Sequence, residues 1–205
     1  MFPEKTYPDA NQYASGYLAE LTRAAGAIDG KAVGAAAELL KAAITADRTV
    51  FACGNGGSAA ISNHLLCDFA KGIQTDTPLR PKVVSFSSHV EMITAIGNDI
   101  SFEEVFAFQL RTAARPGDLL LTISSSGNSE NIVRCLQWAR DNGVKSIALT
   151  GFDGGRSAKL ADVNIHVPAH NYGVVEDLHQ STMHILAQSL RMMHMNPDLI
   201  GTRKF

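Results

Sequence analysis

Five short apolar runs, separated by segments of helical periodicity, constrain the fold of this chain more than any other feature of its sequence. The runs are rich in valine, isoleucine and leucine, as strands buried on both faces must be. They occupy residues 48–53, 82–87, 118–123, 146–150 and 163–168. Such alternation is typical of parallel strands joined by right-handed crossovers, with helices on both faces. We therefore predict an α/β fold, a three-layer sandwich with a five-stranded parallel sheet flanked by helices.

Helical patterns fill most of the segments between the runs and extend beyond them at both ends. They lie at residues 9–28, 31–46, 58–71, 89–97, 102–114, 129–142 and 174–194. A chain of 205 residues has the size of one domain. We expect a helical segment over residues 1–47 and an α/β core over 48–195. The tail over 196–205 is expected to end the last helix at Asn196 and to fray.

Charge and cysteine usage exclude several classes of partner. The net charge is −2, so no basic field favours nucleic acid or an acidic membrane surface. No apolar run approaches the roughly 20 residues that span a bilayer, and the first residues do not resemble a signal peptide. Cys53, Cys67 and Cys135 are widely spaced, which is typical of reduced thiols in a cytosol. We expect a cytoplasmic protein that binds neither nucleic acid nor membranes.

Two turns rich in glycine and serine follow predicted strands, and a helical pattern comes after each. The first is GNGGS at residues 54–58, and the second is SSSGNS at residues 124–129. Glycine lets a backbone approach a ligand closely, and serine hydroxyls with helix N-terminal N–H groups face an anion. Ligands of parallel sheets bind beyond the carboxyl ends of the strands, where both turns lie. The pair predicts a bound phosphate.

Each turn also has an ordinary explanation when it is taken alone. The first can be a tight turn with a helix cap at Ser58, and the second can be a surface loop capped by Ser129. Neither turn matches a Walker loop or a complete GxGxxG fingerprint, so nucleotide binding is the weakest alternative. Three successive serines after a buried strand are not explained by capping. The two turns together therefore favour an anion site.

Two helical stripes of polar residues are candidates for chemistry. His64 and Asp68 are spaced i, i+4, and so share a helix face; Glu176, Gln180 and His184 continue that spacing on the last helix. Two histidines and two carboxylates could hold a divalent metal, or they could transfer protons without one. A solvated surface pair is the ordinary alternative.

Several of these motifs together resemble the sugar isomerase (SIS) domain, and most closely the phosphoheptose isomerases. The resemblance spans residues 50–189 and is carried by CGNGGS, ISSSGNS, the segment 97–99, ALTGFDGG at residues 148–155, and a final helix with His179 and His184. His179 lies about 140° from His184 around that helix, so we interpret it as a packing or subunit-contact residue.

The resemblance implies roles for the residues of both turns. Phosphate would be bound by Ser124, Ser125, Ser126 and Ser129. The sugar would lie beside Asn55, Gly56, Gly57, Ser58 and Glu176, with its hydroxyls contacting Asp99. The two N-terminal helices would build part of a four-helix core in a homotetramer, with active sites at the subunit interfaces.

The resemblance also implies a catalytic and metal-binding set: His64, Asp68, Glu176 and His184. We assign Asp68 and His184 as the acid/base pair. All four residues are expected to hold a divalent metal, which we expect to be zinc. Asp68 stands where the family has glutamate and Glu176 where it has glutamine. A family arginine falls on Gly72, and the neighbouring Lys71 is a substitute for it.

The implied activity is an aldose–ketose isomerisation of a phosphosugar through an enediol. The substrate would be sedoheptulose 7-phosphate and the product D-glycero-D-manno-heptose 7-phosphate, for heptose and polysaccharide synthesis such as lipopolysaccharide or capsule. The alternative is a non-catalytic SIS protein that senses a phosphosugar or binds a protein partner, as a relative does with the replication initiator. A glucosamine-phosphate isomerase is less favoured, because the chain has one SIS unit.

Overall fold

The structure, a computed structural model, describes residues 2–205 and contains one parallel sheet. Its strands are β1 (Thr49–Gly54), β2 (Lys82–Ser85), β3 (Leu119–Ser124), β4 (Lys145–Thr150) and β5 (Val163–His166). They are ordered β2-β1-β3-β4-β5, and every neighbouring pair is parallel. The predicted five-stranded parallel sheet is confirmed.

Helices cover both faces of this sheet, as predicted. They are α1 (Ala10–Gly26), α2 (Gly30–Thr45), α3 (Gly57–Cys67), α4 (Val90–Asp99), α5 (Val105–Ala113), α6 (Glu130–Asp141), α7 (Ser157–Leu160), α8 (Tyr172–His194) and α9 (Pro197–Ile200). A π-helical turn, Asp68–Ile73, continues α3. The sequence patterns missed α7 and α9, because four residues are too few to show a helical period. Among residues 2–205, no helix is long and apolar enough to cross a membrane.

The core lies on both faces of the sheet because successive strand residues point to opposite sides. All six residues of β3 are buried. Leu119 and Leu121 join the apolar cluster formed with α2, α3 and α8, whereas Leu120 joins the cluster formed with α5 and α6. A strand covered on both faces needs apolar residues at every position, which explains why these strands are visible in the sequence.

Strand register brings three turns to the same level at the carboxyl edge. Gly54 at the end of β1 pairs with Ile123, and Ser124 at the end of β3 pairs with Thr150 at the end of β4. The turns that follow β1, β3 and β4 therefore begin side by side. This edge holds both of the glycine- and serine-rich turns.

The tail contacts α8 through one arginine, and its fraying stays a prediction. The side chain of Arg191 on α8 is largely buried and donates to the Thr75 carbonyl (3.1 Å) and to the Lys204 carbonyl (3.0 Å). Its guanidinium also lies 4.8 Å from the centre of the Phe205 ring. One buried arginine thus fastens the last residues against α8, an effect that residue composition does not reveal.

Candidate active site

The two predicted turns meet in one cavity of about 130 Å³ at the carboxyl edge of the sheet. Its lining consists of Asn55, Ser58, Ile123, Ser124, Ser125, Ser126, Ser129, Tyr172 and Glu176. The serines of the second turn and the polar residues of the first therefore face the same space. Tyr172 was not predicted, because it is simply the first residue of α8 and carries no local motif.

Ser125 and Ser126, neighbours in the second turn, differ in how their hydroxyl groups are bonded. Ser125 is 5% exposed, and its Oγ has no hydrogen-bond partner among residues 2–205. An unpaired buried hydroxyl costs about 1–3 kcal/mol. The neighbouring Ser126 Oγ, by contrast, accepts from the Asn128 N–H at 3.2 Å.

Asn55 is fixed by a residue that the motifs did not include. Its amide exchanges two hydrogen bonds with the amide of Asn131 on α6, at 2.9 and 3.0 Å. Asn131 is buried, and a polar residue on the buried face of a helix is the signal that could have identified it. The pair joins the first turn to the helix that follows the second turn.

The cavity holds a carboxyl group and lacks a cation in its described lining. The Glu176 carboxylate lies directly against Gly57, and a side chain there would require the carboxylate to move. Burial, and then the charge of Asp177, raise the pKa of Glu176 above its ordinary value. Anion binding here would depend on hydroxyls and on the N-terminal N–H groups of α6.

A second cluster joins His64, Asp68 and His184, three of the four residues predicted to bind metal. Asp68 Oδ2 lies 2.6 Å from His184 Nδ1, and Asp68 Oδ1 lies 3.5 Å from His64 Nε2. The two imidazole rings are 5.4 Å apart and nearly perpendicular. Asp68 thus bridges histidines from α3 and α8.

Gln180 helps to orient His184. The Gln180 amide nitrogen lies 2.9 Å from His184 Nε2. Asp68 and Gln180 therefore contact the two ring nitrogens of His184 from opposite sides of the ring. These contacts fix the orientation of the imidazole, as an acid/base group requires.

The donor set of this cluster suits a divalent metal. One ligand atom from each of the three side chains lies within 4.8 Å of the others. Two imidazoles and a carboxylate match the ligands that zinc takes in catalytic sites. The prediction that Glu176 joins this set is not met within one chain, because Glu176 stands two helical turns away from His184, about 12 Å along α8.

A larger groove of about 430 Å³ opens from the cluster and lies between the π-helical turn, α8 and the tail. Asp68 and His184 line one end, and Lys71 and Gly72 also line it. A side chain at Gly72 would meet nothing within 4 Å. Gly72 therefore leaves open space beside Lys71, and the substitution of Lys71 for the expected arginine stays a prediction.

Asp99 lies apart from both clusters. It is exposed at the end of α4 and accepts a hydrogen bond from the Asn98 amide at 2.7 Å. It is not among the described residues that line the serine cavity. Its role toward the sugar hydroxyls stays a prediction.

His179 is fully buried, which confirms its interpretation as a packing residue. Burial lowers its pKa from 6.5 to about 4. As the pH falls, His179 therefore becomes protonated in the unfolded chain before it does in the folded chain. The stability that depends on neutral His179 is complete above about pH 6.5 and is lost as the pH falls toward 4. The shift corresponds to about 3 kcal/mol.

We expect His179→Gln to flatten the acid branch of the stability curve, because glutamine does not titrate. Urea unfolding at pH 7 and pH 4.5 measures the difference in unfolding free energy for each protein. The wild type should lose more stability than the variant by about 2 kcal/mol, because pH 4.5 still lies above the pKa of the folded state. Equal losses in both proteins would show that His179 does not carry the effect.

Fold and site define an α/β protein with a serine-lined cavity at the carboxyl edge of a parallel sheet and a cluster of two histidines and a carboxylate between α3 and α8. Within that class the chain belongs to the SIS domain family, whose sequence profile matches residues 12–151. The match includes both turns, His64 and Asp68, whereas α8 with His184 follows it.

Relatives named phosphoheptose isomerase extend the similarity. The one from Nitratidesulfovibrio vulgaris is 39% identical over 141 residues, covering 69% of this chain and 67% of the relative. One from Rhodospirillum rubrum is 35% identical over 156 residues, covering 76% and 82%. The solved phosphoheptose isomerase of Neisseria gonorrhoeae is 33% identical with a TM-score of 0.81, covering 89% of this chain and 98% of that one.

Proposed function

We propose that this protein is a phosphoheptose isomerase that interconverts sedoheptulose 7-phosphate and D-glycero-D-manno-heptose 7-phosphate for heptose and polysaccharide synthesis. The observation that carries the proposal is the 2.6 Å contact between Asp68 and His184. Asp68 begins the π-helical turn that continues α3, the helix that starts at the serine-lined cavity. The choice of a heptose phosphate as substrate rests on the relatives, which are named phosphoheptose isomerase.

Phosphate recognition is assigned to the second turn. The phosphate oxygens would accept hydrogen bonds from the hydroxyl groups of Ser124, Ser125, Ser126 and Ser129. The first N–H groups of α6 would donate further hydrogen bonds to the phosphate. Asn55 and Ser58 would contact the sugar from the first turn. The presence of all four serines in the lining of one cavity supports this assignment.

Asp68 and His184 are assigned the proton transfers. A base removes a proton from the first carbon of the ketose while the second-carbon carbonyl oxygen gains one, which forms an enediol. Return of a proton to the second carbon, with loss of one from the first-carbon hydroxyl, produces the aldehyde. The hydrogen bond to Asp68 and the Gln180 amide hold the imidazole of His184 in place for this exchange.

The divalent metal, which we propose to be zinc, would be held by His64, Asp68 and His184. When bound, zinc would supply positive charge to the oxygens of the enediolate. Asp68 has one oxygen toward each histidine, so its carboxylate can remain the shared group of the cluster.

A cytoplasmic homotetramer with active sites between subunits completes the proposal. Ile185, directly after His184, is 53% exposed, and Met192 and Met193 are exposed on the same helix. Exposed apolar side chains of this kind beside a site suit a subunit interface. Light scattering after size exclusion tests the mass expected of four 21.9 kDa chains.

Turnover of sedoheptulose 7-phosphate by metal-stripped and zinc-loaded protein tests the activity. We expect isomerisation that depends on zinc and returns when the metal is restored. If neither form isomerises this sugar while inorganic phosphate still raises the melting temperature, the chain acts on another phosphosugar or only binds one.

A further inference from the structure

A third turn, residues 151–157, packs directly on the second turn, residues 124–129, which we call the phosphate turn. The third turn has no role in the mechanism above. A side chain at Gly127 would overlap the Gly154 carbonyl, and one at Gly155 would overlap the backbone of Gly127. Gly127 and Gly155 both have positive φ, at 64° and 57°. The two turns are therefore in contact backbone to backbone, and the third can set the shape of the second.

Three backbone N–H groups of the third turn donate to the phosphate turn. Gly151 donates to the Ser125 carbonyl at 2.9 Å, and Ser157 donates to the Gly127 carbonyl at 2.9 Å. The N–H of Arg156 donates to Asn128 Oδ1 at 3.1 Å. These bonds are spread along the turn from Ser125 to Asn128.

The side chain of Arg156 adds two contacts that enclose Ser129. Its Nη2 donates to the Asn128 carbonyl at 3.0 Å and to Glu130 Oε2 at 2.7 Å. Asn128 and Glu130 are the chain neighbours of Ser129, and Glu130 begins α6. Arg156 thus links Asn128 of the turn to Glu130, the first residue of the helix.

An exposed ion pair with Glu130 alone would contribute little, because surface salt bridges are weak. Arg134 provides the comparison: it also pairs with Glu130, at 3.2 Å, and with Glu104 at 2.9 Å. The hydrogen bonds of the described residues join the Arg134 side chain to those two carboxylates and not to the turn. What distinguishes Arg156 is its bond to the backbone of the turn.

We propose that Arg156 is a positioning residue for the phosphate turn, so that phosphate affinity depends on a side chain outside the lining of the cavity. This inference rests on the proposed function, which places the phosphate among Ser124, Ser125, Ser126 and Ser129. Loss of Arg156 frees the segment around Ser129 while the cluster of Asp68 and His184 stays intact. Loss of Arg156 should therefore weaken phosphate binding and leave proton transfer unchanged.

The test compares Arg156→Ala with Arg134→Ala as the matched control. Inorganic phosphate is the probe, with its Kd measured by titration, alongside kcat, KM and the melting temperature. We expect Arg156→Ala to raise the phosphate Kd and KM about tenfold, the size of one lost charge-assisted hydrogen bond, with kcat unchanged. Arg134→Ala should leave all of these constants unchanged, and Arg156→Lys should recover part of the affinity.

Equal shifts in both variants, or a fall in kcat with unchanged KM, would overturn the assignment. So would a wild-type protein that does not bind inorganic phosphate. The phosphate titration separates this inference from the proposed activity. If the wild type does not isomerise sedoheptulose 7-phosphate but phosphate binding weakens only in Arg156→Ala, the activity is wrong and the positioning role stands.

Discussion

Replacing His184 with alanine is expected to lower kcat by about a thousandfold, within the range of general acid–base catalysis. The variant loses the proton carrier that lies 2.6 Å from Asp68 and one of the three candidate metal ligands. Steady-state kinetics and the zinc content of the purified protein measure both losses. Phosphate binding should remain, because His184 does not line the serine cavity.

His194→Ala is the control for this experiment. His194 lies on the same helix, and its Nδ1 is 2.8 Å from the Leu190 carbonyl at the helix end. We expect this variant to keep its activity and its zinc. Full activity in His184→Ala would remove the cluster from the mechanism, whatever its effect on metal content.

Replacing Gly127 with alanine is expected to weaken phosphate binding and raise KM by about a hundredfold, the cost of displacing a bound group by about an ångström. The added methyl would overlap the Gly154 carbonyl, so the phosphate turn and the third turn must separate. Titration with inorganic phosphate and the KM for the sugar phosphate measure the effect. Zinc content should be unchanged, because His64, Asp68 and His184 are elsewhere.

Gly143→Ala separates this collision from backbone strain. Gly143 has φ of 69°, close to the 64° of Gly127, but a side chain there would meet nothing within 4 Å. Both variants pay about 1–2 kcal/mol for the left-handed conformation. A KM that rises equally in both would assign the effect to global stability, whereas a rise only in Gly127→Ala assigns it to turn geometry.

The strands and the two turns were predictable because each has a local cause. A strand covered by helices on both faces must be apolar at every position, and this pattern located all five strands to within two residues at each end. Glycine and serine are concentrated in both turns, so their residues were identified from the sequence, and the structure brings them together in one cavity. Pairs spaced four apart on one helix, such as His64 and Asp68, share a face by helix geometry alone.

Contacts between distant segments were not predictable in the same way. The sequence alone placed Glu176 with the metal ligands, but the structure places its carboxylate against Gly57, in the serine cavity. The direction of a side chain on α8 depends on how that helix crosses α3, which no local pattern encodes. The tail held by Arg191 and the amide pair of Asn55 with Asn131 have the same origin.

The sequence by itself thus determined the order of strands and helices, the parallel sheet and the chemistry of its turns, because periodicity and residue type report on burial and backbone conformation. Only the tertiary structure decided which polar groups meet. It joined His184 to Asp68 across 116 positions of the chain and set Arg156 against the phosphate turn. Such contacts depend on strand register and helix crossing, which are properties of the packed molecule.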